Sequence, residues 1–139
     1  MITDLAHVAF AVRDVDVSLA FYDQLGVHEA FRLHRDDGTL MLVYLHVGGD
    51  RFIELFPGGP APDLDRRQSF MHICLRSDDI HADVERLRDA GVPIVKEVKE
   101  GLDHNLQAWI ADPDGNKIEL MQLSEESPQR ETARRQACS

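Results

Sequence analysis

Two glutamates and two histidines carry the chemistry that this sequence could do. Glu54 lies in Ile53-Glu54-Leu55 and Glu119 in Ile118-Glu119-Leu120. His7 opens His7-Val8 and His72 opens His72-Ile73. Both triplets and both doublets are separated by 65 positions. Two imidazoles and two carboxylates are a donor set for one borderline divalent ion, Zn, Ni, Co, Mn or Fe(II), with positions left over for water or substrate. Taken singly, a strand histidine is usually a core or edge residue, and a strand glutamate usually faces water. Both ligand types recur at equivalent places, and that favours the metal reading for His7, Glu54, His72 and Glu119 together.

The offset belongs to the whole chain. Asp14 matches Asp79, Gly26-Val27 matches Gly91-Val92, and Tyr44 matches Trp109, all in the same gapless register. Landmarks this far apart in one register make an internal repeat. Each copy reads as βαβββ. In the first, Leu5 to Val12 alternates as a strand, with Val8, Phe10 and Val12 on one face and His7, Ala9 and Ala11 on the other. Asp14 caps a helix that Gly26 ends, with Val15, Leu19, Tyr22 and Leu25 as its buried stripe. Val27 to Arg35, Thr39 to Val47 and Phe52 to Phe56 follow as strands. The second copy has a strand over Phe70 to Leu75. Asp79 then caps a helix with the stripe Ile80, Val84, Leu87 and Ala90. Strands follow over Val92 to Val98, Asn105 to Ala111 and Lys117 to Leu123. Asp112-Pro113-Asp114-Gly115 supplies the turn into the last of these.

The expected fold is therefore α+β: two βαβββ modules forming a curved mixed sheet cup with the helices outside. Residues 1–123 make one domain, with module one at 1–57, a linker at 58–69 and module two at 70–123. Residues 124–139 read as a polar mobile tail, with a frayed helix as the alternative. The histidines and glutamates point away from the helices, toward the concave side. Ala9, Ala11 and Cys74 share that face and leave room for a cavity. Cys74 is expected to be small and buried, with no activator nearby. His28, His34, His46 and His81 read as surface residues. His104 reads as a loop residue that leaves a substrate-contacting role open.

Composition narrows the partners. Fifteen basic against 25 acidic residues leave a formal charge of −10. That argues against nucleic acid and anionic membranes. No apolar run approaches the roughly 20 residues of a membrane span. The first residues lack the pattern of a signal peptide. Cys74 and Cys138 make no disulfide framework and fit a reducing, cytoplasmic setting. Phosphate-binding glycine loops and a Gly-x-Ser-x-Gly elbow are missing from the sequence.

His7 with Phe21-Tyr22 and Leu25-Gly26, then Asp112-Pro113-Asp114-Gly115-Asn116 and Ile118-Glu119-Leu120, resemble the hallmark positions of the vicinal oxygen chelate superfamily. That superfamily contains glyoxalase I, methylmalonyl-CoA epimerase, extradiol dioxygenases, and fosfomycin- and bleomycin-resistance proteins. The resemblance spans Leu5 to Leu123, and the ligand order His, Glu, His, Glu is most similar to glyoxalase I (lactoylglutathione lyase). It implies a metal-dependent lyase or isomerase that moves a proton on a small carbonyl substrate through an enediolate. Glu119 is the implied base and Glu54 the second choice. An epimerase, an Fe(II) extradiol dioxygenase and a non-catalytic small-molecule binder are the alternatives on the same scaffold. At one position the chain departs from glyoxalase I. The first strand has Ala11 where that enzyme carries an arginine for the glutathione carboxylate, and Arg13 is the nearest arginine. The resemblance also implies a homodimer with sites shared between subunits. The short, proline-containing linker favours the same assembly.

Overall fold

The computed structural model describes residues 4–62 and 70–137. The second half of the linker and Cys138 lie outside the described residues. The chain divides into two compact units, Met1–Asp65 with Pro113–Gly115, and Arg66–Asp112 with Asn116–Ser139. Each unit is a βαβββ module, and the class is α+β as expected.

Module one runs β1 (His7–Val12), α1 (Val15–Gln24), β2 (His28–His34), β3 (Leu40–Gly48) and β4 (Arg51–Pro57). Its sheet has the order β1-β4-β3-β2, with β1 parallel to β4 and the other pairs antiparallel. Hairpins make the antiparallel pairs; the parallel pair closes only after the chain has crossed through α1, β2 and β3. Alternation sends Phe10, Val12, Val43, Leu45, Ile53 and Leu55 into the core, all at most 5% exposed, on the face that carries α1. Of the expected α1 stripe, Tyr22 is fully buried, while Val15, Leu19 and Leu25 are only half-buried. Ser18 is buried with Tyr22, and its Oγ lies 3.4 Å from Asp114 of the same unit.

Module two repeats the plan with β5 (Ile73–Arg76), α2 (Ile80–Asp89), β6 (Ile94–Glu100), β7 (Leu106–Ala111) and β8 (Lys117–Gln122), in the order β5-β8-β7-β6. Ile80, Val84 and Leu87 form the buried stripe of α2, with Ala108, Ile110, Ile118 and Leu120 beneath it. Ala90, expected in that stripe, is exposed because it is the residue that caps α2, and Val92 is buried in its place.

The two helices are capped alike. Asp14 and Asp79 each accept from a backbone N–H three residues on, at Val17 and Ala82. Gly26 and Gly91 take positive φ, 73° and 82°. Val27 N then bonds Tyr22 O, and Val92 N bonds Leu87 O, which closes a Schellman motif at both ends.

The polar tail forms a third helix, α3 (Pro128–Ala137). Its start is anchored from β7's side: fully buried Asn105 donates to Gln129 Oε1 at 2.6 Å and accepts from Ser124 N at 3.0 Å. Among the described residues, no helix is long and apolar enough to cross a membrane.

One stability prediction follows from the end of β4. Gly59 N donates to Val12 O at 2.9 Å, so the chain leaving β4 stays pinned along β1. A Cβ at Gly59 would run into the Ala11 carbonyl and lie 2.6 Å from Val12 N, all backbone atoms that cannot turn aside. Gly59→Ala should cost about 1–3 kcal/mol, read as a lower denaturation midpoint.

Candidate functional site

The repeat places two matching rows of side chains across the two sheets. In module one, Phe31 pairs with Tyr44, Tyr44 with Glu54, and Glu54 with Ala9. In module two, Lys96 pairs with Trp109, Trp109 with Glu119, and Glu119 with Cys74. Directly paired residues point to the same face, so each row shares its face with the glutamate at its centre, opposite the helix.

Each glutamate meets its histidine. His7 Nε2 lies 3.5 Å from Glu54 Oε2, and His72 Nε2 lies 3.1 Å from Glu119 Oε2. Both glutamates are only 6% exposed. A buried carboxylate needs partners. Glu54 has His7 and the Tyr44 phenol, whose pKa is raised by its hydrogen bond to Glu54 and by lost hydration. Glu119 has His72 and the Cys74 thiol. Lost hydration and then the Glu119 charge push that thiol up to about 12. Such a thiol is no nucleophile at neutral pH. Cys74 as a residue is exposed, where a buried one was expected. It stands on the glutamate face, away from α2, although its sulfur sits close to Glu119.

Among the described residues, no lysine or arginine forms an ion pair with Glu54 or Glu119. Each buried carboxylate beside an imidazole therefore lacks a permanent cation. A divalent ion would supply one, so the donor chemistry fits such a metal. The structure brings the four residues together as two pairs, one per module. Among the described residues, no group of three or more His, Cys, Asp or Glu side chains is gathered to hold an ion.

The other candidates take ordinary places. His28 meets Asp23 at 2.8 Å, His46 Nε2 meets Gly49 O at 2.9 Å, and His104 meets Glu100 at 3.2 Å. His34 and His81 are exposed. Arg13 follows β1 and is held by Asp114, which accepts from its backbone N–H at 2.9 Å and faces its guanidinium at 3.9 Å.

In the sequence, Tyr44 and Trp109 mark only the repeat. The structure makes them neighbours of the pairs. Tyr44 lies edge-on to His7, with ring centroids 6.4 Å apart, and stacks on Phe31 at 4.4 Å. Trp109 lies edge-on to His72 at 4.8 Å.

Comparison with known proteins gives the family. The family model for the glyoxalase/bleomycin resistance protein/dioxygenase superfamily matches residues 4–120. The chain belongs to that superfamily. A probable lactoylglutathione lyase of Synechocystis is 34% identical over 127 residues, covering 86% of this chain and 95% of the relative. A bleomycin resistance protein of Klebsiella pneumoniae is 32% identical over 130 residues, covering 86% and 93%. Among solved structures of the superfamily fold, TnmS3, an antibiotic-binding protein from a Streptomyces, aligns with a TM-score of 0.68 at 26% identity, over 88% of this chain and 98% of that one. The superfamily relatives thus include both enzyme-named and binding-named proteins.

Proposed function

We propose that the chain is a divalent-metal-dependent lyase or isomerase of the glyoxalase I type, acting on a small carbonyl compound. The observation that carries this reading is the repeated His–Glu pair, each with a buried carboxylate that has no lysine or arginine ion pair among the described residues. Several relatives named probable lactoylglutathione lyase support it.

His7, Glu54, His72 and Glu119 would hold the ion. Bound there, it would supply Lewis-acid stabilisation of negative charge on neighbouring substrate oxygens. The chain's own residues do the rest. Glu119 takes the proton from the carbon beside the carbonyl and returns it. Its burial beside Trp109 and His72 keeps bulk water away from the carboxylate. His72 fixes the orientation of Glu119, as His7 does for Glu54.

Metal analysis tests the reading. Purified protein dialysed against a limiting divalent ion should retain one ion per set of four ligands. His7→Ala or His72→Ala should weaken retention by 10-fold or more, about the effect of losing one ligand. Full occupancy in the double variant would remove the metal site from these residues.

A second reading is favoured by the aromatic wall of module one. Phe31 is 45% exposed while stacked on Tyr44, and Phe52 closes the cluster. Such a wall suits a flat ligand, as a sequestering protein would need. The bleomycin resistance and antibiotic-binding relatives support this alternative. Metal retention with no proton exchange on any carbonyl probe would favour it.

A further inference from the structure

Module one carries two histidines that the repeat does not share. The positions matching His28 and His46 in module two hold Pro93 and Ala111, so this pair is no part of the doubled His–Glu arrangement. His28 opens β2 and pairs directly with His46 of β3, antiparallel and ahead of the strand irregularity that follows Glu29. Directly paired residues share a face and hold their Cβ atoms about 4.5–5.5 Å apart. Both side chains line a hollow of about 530 Å³, with Phe31 and Phe52 among its other walls.

Each ring has one nitrogen committed and one left over. His28 Nδ1 lies 2.8 Å from Asp23 Oδ1, and His46 Nε2 lies 2.9 Å from Gly49 O. An ionised carboxylate and a backbone carbonyl can only accept, so both of these nitrogens carry a proton and donate it. In the neutral rings the lone pair then sits on His28 Nε2 and His46 Nδ1. Among the described residues, neither of those two atoms has a hydrogen-bond partner. Imidazoles that ligate metals are held in this way. The far nitrogen donates to a carboxylate or a carbonyl, which fixes the tautomer and makes the near nitrogen a better donor to the ion. Glu29 is no third ligand: Arg32 takes both its oxygens, at 2.6 and 2.9 Å, and its pairing with core residue Leu45 puts it on the opposite face.

We propose that His28 and His46 form a second, exchangeable site for one borderline transition-metal ion such as zinc or nickel, bound through His28 Nε2 and His46 Nδ1. Metal–imidazole bonds of about 2.0–2.1 Å require the two nitrogens to come within about 4 Å of each other, a separation that side chains on directly paired positions can close. Both residues are exposed, so the remaining positions on the ion stay with water and the ion can leave. Two imidazoles without a carboxylate select against magnesium and calcium, which want oxygen ligands. His46 pairs with Phe52 and Phe52 with His7, which puts His46 two strands from His7, roughly 10 Å across the sheet. One ion cannot reach both. The site is therefore separate from the His7–Glu54 pair and stands without the proposed reading of that pair.

The test is a zinc titration of chelator-treated, ¹⁵N-labelled protein, followed by NMR of the histidine ring nitrogens. His28 Nε2 and His46 Nδ1 should shift together along one saturation curve. Its midpoint should lie at least tenfold below the zinc concentration that moves His34 and His81, exposed histidines that serve as single-ligand controls, because the second imidazole binds intramolecularly. Magnesium at the same concentrations should move neither ring. His28→Gln should weaken the His46 response tenfold or more, and His46→Gln the His28 response. Asp23→Ala should weaken both about tenfold through the lost support of His28. These substitutions alter exposed side chains, and an unchanged amide spectrum for α1 and β4 shows that the fold is kept. The His7→Ala, His72→Ala double variant should keep the response, so this site and the proposed catalytic metal site can each fail alone. Separate curves for the two rings, midpoints equal to those of His34 and His81, shifts at the opposite nitrogens, or an unchanged His46 response in His28→Gln would overturn the proposal.

Discussion

Glu119→Gln should lower proton exchange at a carbon beside a carbonyl by about 10²- to 10⁴-fold, the usual contribution of a positioned general base. The substitution keeps the shape of the side chain and one oxygen that can ligate, and removes the basic lone pair. It also removes a buried negative charge, so the fold has no reason to open: Glu119 is 6% exposed and faces His72, Cys74 and Trp109. Metal retention should fall less than exchange does. The measurement is deuterium uptake from D₂O by small α-hydroxycarbonyl probes, hydroxyacetone and hydroxypyruvate, followed by NMR with metal-loaded protein. Wild-type exchange in this variant would move the base to Glu54, and Glu54→Gln becomes the next variant to measure. Aerobic cleavage of a catechol, with no exchange on either probe, would point to the dioxygenase reading.

Much of this site could be read from the residues because its parts recur. The offset that joins Ile53-Glu54-Leu55 to Ile118-Glu119-Leu120 also joins Asp14 to Asp79 and Gly26 to Gly91. Each of those residues does a local job that sequence shows directly: a side chain caps a helix, or a positive φ ends one. The flanking residues were harder. Phe31 and Lys96 each follow a break in strand pairing, and a one-residue irregularity turns every later side chain to the other face. Simple alternation along β2 or β6 therefore gives no reliable face. Cys74 stands on the expected face, beside Glu119 and away from the helix, but a small thiol suggests burial and the residue is exposed. The tail shows a third limit on what sequence reveals. Nothing between Pro128 and Ala137 is buried, so no apolar stripe announces α3. What holds its start is a side-chain bond from Asn105, 24 positions earlier, and such long-range polar contacts leave no periodic trace.

Mixing His7→Ala with His72→Ala, each inactive alone, should restore about 25% of wild-type activity, because half the dimers in a random mixture are mixed and each has one intact site of two. This holds if a site takes His7 and Glu54 from one chain and His72 and Glu119 from the other. In the mixed dimer both lesions then fall in one site and leave the second whole. If every site belongs to one chain, each carries a lesion and no activity returns. The linker favours sharing. Gly59 is hydrogen-bonded to Val12, so the free span begins only after it. The ten positions from Pro60 to Ser69 reach at most roughly 35 Å when fully extended, and Pro60 and Pro62 stiffen them. A second copy presents the same surface without that limit on reach. Subunit exchange under mild denaturant, followed by activity and metal retention on the same samples, separates the two arrangements. Metal retention is the deciding readout where activity is low: in the shared arrangement the mixture should recover about 25% of wild-type retention, in parallel with activity.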